Sequence, residues 1–283
     1  MKILIIGGSG FIGSHVADVL AKYNYKVTIF DIKKPSTLLK NQKFVKGDIS
    51  NIKKLTTSIK KNKIVFNFAA IADIDEAKTK PNKTLEINIK GTLNLLNICS
   101  KYKIKRFIQA SSIYADSHEG GFYAISKRAS EDYIQEYKKI FGLNYTILRF
   151  GSLYGERAGP TNGIQTILNN AKYKKKIVYR GSKKARRKYI NVKDAALACL
   201  EVLKTKYKNK CLTIVGKKTI RISSIFKFLS NNLDIKKITF LNEKNTSHYD
   251  IKPSQYKIRK SEVLTIKNHE NFFNYIKKLI ELK

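Results

Sequence analysis

The chain has 283 residues, 42% of them apolar and 11% aromatic, which is enough for an α/β core with one smaller lobe and too apolar for a disordered chain. Its formal charge of +36 comes from 57 Lys and Arg against 21 Asp and Glu. The lysines are interleaved with Asn and Ile throughout, and the densest clusters, Lys172 to Lys176 and Lys183 to Lys188, accompany no RNA-binding motif. A solvated basic surface is therefore expected, compatible with phosphate binding by a few of its residues, whereas nucleic acid and membrane are not expected as partners.

The apolar run Ile3 to Ile6 is too brief for a signal peptide, and nowhere do about 18 apolar residues follow one another, so a cytoplasmic location is expected. Cys99, Cys199 and Cys211 are odd in number and far apart, a pattern that suggests neither a disulfide framework nor a metal site. They read as buried small apolar residues.

In chain order, Lys2 to Ile6 is a continuous apolar strand, Gly7 to Gly13 a turn, and Phe11 to Lys22 a helix with Val16, Val19 and Leu20 on one face. Val27 to Asp31 is the second strand. Further strands are expected at Lys43 to Val45, Ile64 to Phe68, Lys105 to Ala110 and Tyr145 to Phe150, separated by helices such as Lys83 to Ser100 and Ala124 to Phe141. This alternation predicts a Rossmann-type, doubly wound parallel sheet of the α/β class. Past Gly151 the alternation loosens: Ile190 to Leu203 reads as a strand end plus helix, Cys211 to Val215 as a final strand, and Ile220 to Leu229 and Phe272 to Leu282 carry helical periodicity. The predicted division is a dinucleotide-binding domain over 1–150 and 189–215 and a smaller substrate-binding lobe over 151–188 and 216–283.

The segment Gly7-Gly8-Ser9-Gly10-Phe11-Ile12-Gly13 lies between the first strand and first helix. A pyrophosphate must come close to the backbone there. Missing side chains at Gly7 and Gly10 permit the turn and the approach, Gly13 lets helix and sheet meet, and the helix N-terminus offers N–H groups to the anion. Asp31 ends the second strand, 18 residues past Gly13, where a carboxylate accepts hydrogen bonds from the adenosine ribose. That favours NAD, while Lys33 and Lys34 leave NADP open.

Tyr123 and Lys127 stand four apart in Tyr-Ala-Ile-Ser-Lys at the start of a predicted helix, hence on one face. A phenol of ordinary pKa about 10 is a poor base at neutral pH, and an adjacent ammonium, helped by oxidised nicotinamide, is expected to favour its phenolate. Ser111 and Ser112 emerge at the carboxyl end of a central strand, where ligands bind in open α/β sheets, and a hydroxyl there orients a substrate alcohol and relays its proton.

With these motifs in order, residues 1 to about 200 resemble the extended short-chain dehydrogenase/reductase family, in its NAD-dependent epimerase/dehydratase branch. The resemblance implies that Ser112, Tyr123 and Lys127 are catalytic. It places the cofactor against Gly7, Gly10, Phe11, Ile12, Gly13, Asp31 and Ile32, then Asp48-Ile49 at the adenine and Phe68-Ala69-Ala70 after the fourth strand. Asn88 is the implied strand-supporting asparagine of that site, and Arg149-Phe150-Gly151-Ser152 stands where the nicotinamide and substrate are approached, with Phe150 against the cofactor. Ser112, Tyr123, Ser152 and Arg187 would hold the substrate, a nucleotide sugar, and a homodimer through the helices Lys83 to Ser100 and Ala124 to Phe141 is implied. Only ten residues separate Ser112 from Tyr123, a shorter rim than is usual in the family. Ile113-Tyr114 stand where similar 4,6-dehydratases carry Asp-Glu, which argues against dehydration. The expected reaction is 4-epimerisation through a transient 4-keto sugar, with a nucleotide-sugar dehydrogenase or reductase as alternative and a non-catalytic nucleotide- or RNA-binding protein as a second.

Overall fold

A computed structural model of the chain describes residues 1–117, 119–241, 261–266 and 271–281. Its first strands are β1 (Lys2–Ile6), β2 (Lys26–Asp31), β3 (Gln42–Lys46), β4 (Ile64–Asn67), β5 (Arg106–Ser112) and β6 (Tyr145–Phe150). The later ones are β7 (Ser152–Tyr154), β8 (Lys176–Arg180), β9 (Arg186–Arg187), β10 (Tyr189–Asn191), β11 (Lys210–Ile214), β12 (Ile220–Arg221), β13 (Lys237–Leu241) and β14 (Glu262–Val263). The helices are α1 (Phe11–Lys22), α2 (Ile52–Lys60), α3 (Ile74–Thr79), α4 (Pro81–Thr84), α5 (Gly91–Lys101), α6 (Gly121–Phe141), α7 (Gly163–Lys174), α8 (Val192–Glu201), α9 (Ile222–Asn232) and α10 (Phe272–Glu281).

Eight strands form one sheet in the order β14-β11-β6-β5-β4-β1-β2-β3, every neighbouring pair parallel. The strand sequences explain this. All seven residues of β5 and the last four of β1 are buried, the near-continuous apolar pattern of strands covered by helices on both faces. One face packs Ile3, Ile5, Val27 and Ile29 against α1 and α8, and the other packs Leu4, Ile6, Val65 and Phe107 against α2 and α5. From β1 the chain runs outward through β2 and β3, then crosses back to lay β4 on the other side of β1. That reversal opens a crevice beyond the carboxyl ends of β1 and β4. A third apolar cluster unites Tyr154, Ile164, Ile167 and Tyr179 with Ile222, Phe226, Phe272 and Ile276, joining segments far apart in the chain.

Three expectations need amendment. The helix over Lys83 to Ser100 contains a π-helical stretch, Leu85–Lys90, between α4 and α5. Cys211 to Val215 is not the last strand, because β14 pairs along its outer edge with Leu212 opposite Glu262. Ile220 belongs to β12, which pairs antiparallel with β9, so the helix that follows starts at Ile222. The helix expected to end at Leu282 is α10; Leu282 itself lies outside the described residues. Cys99 and Cys199 are buried, whereas Cys211 is half-buried. Among the described residues no helix is long and apolar enough to cross a membrane.

Candidate active site

The turn after β1 is shaped by what its glycines lack. Gly7 has φ +74°, and a Cβ on it would stand 2.5 Å from the Ala69 backbone nitrogen, so the turn touches the chain leaving β4. A Cβ on Gly13 would lie 2.3 Å from the Gly7 carbonyl oxygen, so only glycine lets α1 start this close to the sheet. Gly10 is the N-cap of α1 and makes no side-chain cap bond, which leaves the helix's positive end to a ligand. Asp31 grips the turn from the end of β2: it accepts the Ser9 N–H at 2.9 Å on Oδ2 and the Lys33 N–H at 3.0 Å on Oδ1. Beside it a cavity of about 240 Å³ is lined by Ser9, Gly10, Phe11, Lys34, Ser36 and Arg157. A larger cavity, about 660 Å³, runs along α2 and the edge strand β3, away from this crevice.

The remaining cofactor candidates divide by where their side chains go. Phe68, Ala69 and Ala70 are half-buried at the end of β4, and Ile32 is exposed. Phe150 closes β6 with its ring 6.5 Å from that of Phe68. Ile12 packs onto the core and Ile49 is buried against Gly91, while exposed Asp48 caps its own turn by accepting from the Ser50 N–H and Oγ. Those bonds hold the Asp48 carboxyl below its ordinary range. Asn88 is wholly engaged by protein: Oδ1 accepts the Ile71 N–H at 2.8 Å, and Nδ2 donates to the Ile71 carbonyl and to Ser126 Oγ. It fixes the loop after β4 onto α6.

Strand alternation separates the two serines of β5. Ser112 turns toward Tyr123, whose phenol it hydrogen-bonds, and its Oγ accepts the Tyr114 N–H at 3.2 Å. Ser111 turns the other way, and its hydroxyl donates to Glu131 Oε1 at 2.5 Å. On α6, Lys127 Nζ lies 5.7 Å from the centre of the Tyr123 ring and donates to the Ala110 carbonyl at 3.0 Å. Ser112, Tyr123 and Lys127 therefore converge at the carboxyl end of β5. Burial pushes Tyr123 up to about 12, outweighing the Ser112 bond that acts the other way. Burial also brings Lys127 down to about 8, although the Glu131 carboxylate opposes it.

Three residues gained roles that residue type and spacing had not assigned. Arg149, expected at the approach to the nicotinamide and substrate, is buried instead and grips Glu131 with Nε at 3.0 Å and Nη2 at 2.7 Å. Glu131 lies one helical turn beyond Lys127, so the spacing of four was the available signal. Tyr114 is buried, meets Tyr123 edge to face at 6.5 Å and hydrogen-bonds Arg187. Arg187 and Ser152 are brought together by the pairing of β7 with β10, Arg187 Nη1 standing 3.5 Å from Ser152 Oγ. Burial works against the Arg187 charge, but Tyr114, Tyr189 and Tyr179 more than offset it and hold the guanidinium above its ordinary value.

A glycine turn at the switch point and a Ser/Tyr/Lys trio facing the same crevice are matched by the sequence profile of the NAD dependent epimerase/dehydratase family, over residues 3–215. The chain belongs to this family. It is 30% identical over 254 residues to a putative UDP-glucose 4-epimerase of Methanocaldococcus jannaschii, covering 82% of each chain. It is 33% identical over 234 residues to the dTDP-D-glucose 4,6-dehydratase of Dictyostelium discoideum, spanning 70% of this chain and 54% of that enzyme. The fold matches the crystal structure of the Thermotoga maritima UDP-glucose 4-epimerase with UDP-glucose at a TM-score of 0.82 and 26% identity, over 99% of this chain and 98% of that one. NAD is the cofactor of the epimerase/dehydratase family, and the crevice fits it: the glycine turn Gly7 to Gly13 leads into the N-terminus of α1, whose cap Gly10 makes no side-chain bond, and the Asp31 carboxylate stands beside that turn at the end of β2.

Proposed function

We propose that the chain is a nucleotide-sugar 4-epimerase, its substrate seated between the crevice and the lobe of residues 151–188 and 216–283. The observation that carries this is the convergence of Ser112, Tyr123 and Lys127 beside the glycine turn, with Ile113-Tyr114 where a dehydratase needs an acid pair. NAD would be held by Gly7, Gly10, Phe11, Ile12, Gly13, Asp31 and the β4 end, and would supply the hydride acceptor and donor that such a reaction needs. The protein's part is proton handling and aim. Ser112 holds the C4 hydroxyl and Tyr123, as a phenolate stabilised by Lys127, takes its proton as hydride would leave C4. The 4-keto sugar then turns over so that hydride would return to its opposite face, and Tyr123 gives its proton back to the C4 oxygen, becoming a phenolate again beside Lys127. Arg187 and Ser152 face the phosphates and the sugar, a guanidinium being suited to bind phosphate.

The test is incubation of purified protein with UDP-glucose, UDP-galactose and their N-acetyl counterparts, reading epimers by NMR. Interconversion with no net NADH, and a loss of at least about a hundredfold in Tyr123→Phe, is the expected outcome. Release of NADH would reassign the chain as a dehydrogenase. Equal behaviour of wild type and Tyr123→Phe would overturn the catalytic reading altogether.

A further inference from the structure

Behind Lys127 lies a cluster that the proposed chemistry does not use. Glu131 and Arg149 are both almost fully buried, joined by two guanidinium–carboxylate bonds, with the Ser111 hydroxyl donating to the same carboxylate. A second contact runs from Arg149 Nη1 to Asp116 Oδ2 at 3.7 Å. The cluster ties together the elements that carry the trio: Ser111 adjoins Ser112 on β5, Asp116 closes the turn that follows, Arg149 is on β6, and Glu131 is on α6 with Tyr123 and Lys127. Lys127 is one turn away, fastened by Nζ to the carbonyl of Ala110, the neighbour of Ser111.

The charges alternate through this buried space as ammonium, carboxylate, guanidinium. A lone ammonium in such a place sheds its proton, because desolvation disfavours the charged form. The ionisable groups around Lys127 are Tyr123 and Glu131 on its own helix, Tyr114 and Asp116 from the turn after β5, and Arg149 from β6, with Cys211 of β11 beside Arg149; β5 offers the neutral Ala110, Ser111 and Ser112. Glu131 is the carboxylate whose charge acts on Lys127.

We infer that Glu131 is a positioning residue for the reaction, its carboxylate, clamped by Arg149 and Ser111, serving as the counter-charge that keeps Lys127 an ammonium beside Tyr123. The inference rests on the proposed roles of Tyr123 and Lys127. Arg149 holds the carboxylate in place, and Ser111 fixes its distance from β5. A purely structural ion pair would hold the same elements together without governing the proton on Lys127.

The experiment is NMR titration of full-length protein carrying lysine labelled at Cε, with Lys127 assigned by its loss in Lys127→Met. In Glu131→Gln, which keeps the shape and removes the charge, Lys127 is expected to titrate at least about one pH unit below wild type, a tenfold change in its proton affinity. Glu131→Asp restores the wild-type titration. With UDP-glucose at pH 7.5, the Gln variant loses roughly threefold in kcat with KM nearly unchanged, as for a residue that acts only through the base. A folded Glu131→Gln whose Lys127 titrates as in wild type overturns the inference. Should the stranded guanidinium unfold that variant, Glu131→Gln/Arg149→Met set against Arg149→Met gives the same comparison with the guanidinium absent from both. The titration needs no substrate, so a chain that shows the shift yet turns over no nucleotide sugar refutes the proposed function and leaves the Glu131–Lys127 coupling standing.

Discussion

Tyr123 and Lys127 are moved in opposite directions by one cause. Burial favours the neutral form of each, so the phenol rises to about 12 and the amine falls to about 8, and at neutral pH the pair is phenol plus ammonium. Release of the phenolic proton thus needs further positive charge, which oxidised nicotinamide provides when NAD is bound. Activity should accordingly fall as pH rises past about 8, where Lys127 loses its proton, and a rate profile from pH 6 to 10 reads this limb directly. The same shift has a consequence for stability. The unfolded chain keeps this proton up to about 10.4. Between about 8 and that value the unfolded state binds more protons than the folded one, so the contribution of Lys127 to stability rises with pH. Urea denaturation at pH 7.5 and 9.5 should show wild type gaining on Lys127→Met at the higher pH. Gly13 tests sterics alone. A Cβ 2.3 Å from a carbonyl oxygen forces α1 off the sheet, so Gly13→Ala should lose roughly 1–3 kcal/mol and its NAD, measured by denaturation and by calorimetric titration with NAD.

At the scale of elements, the parts with a local cause are legible in the sequence. β1, β2, β4, β5 and β6 are runs of apolar residues, α1 and α6 have helical periodicity, and Gly7, Gly10 and Gly13 mark a turn whose spacing locates Asp31. What escaped has causes outside its own sequence. The π stretch Leu85–Lys90 has an unbroken helical composition; Asn88 at its heart is fixed by Ile71, Ser126 and Ser130, which belong to the β4 loop and α6. Strand β14 is two residues long and exists through its pairing with β11. The Glu131–Arg149 pair joins residues 18 apart on a helix and a strand, and no local pattern announces it. Asn88→Ala tests the π stretch: it leaves the buried Ile71 N–H without the bond it donates, a loss of about 1–3 kcal/mol. The denaturation midpoint should drop accordingly, and tryptic cleavage between Ala70 and Lys90 should quicken.

For the whole molecule, the charge of +36 and the apolar surface of α6 pull association in opposite directions. Phe122, Ile125, Tyr133 and Ile140 are exposed on α6 at intervals of three, eight and seven, which aligns them along one face. Exposed Leu85 lies in the π stretch that packs on α6. A second copy of the chain laid along this stripe would bury it, which is how the homodimer expected from the family resemblance would form. Two bodies of like charge repel each other, and that repulsion is screened over about 8 Å at physiological ionic strength and less at higher salt. Burial of apolar side chains is not weakened by the same salt. Such a dimer should therefore tighten as sodium chloride rises from about 20 to 300 mM, whereas an interface of complementary charges would loosen. Sedimentation equilibrium across that range measures the effect, and Ile125→Glu/Ile140→Glu should remain monomeric at every salt concentration while still binding NAD, because both side chains are exposed and neither lines the cavity beside the glycine turn.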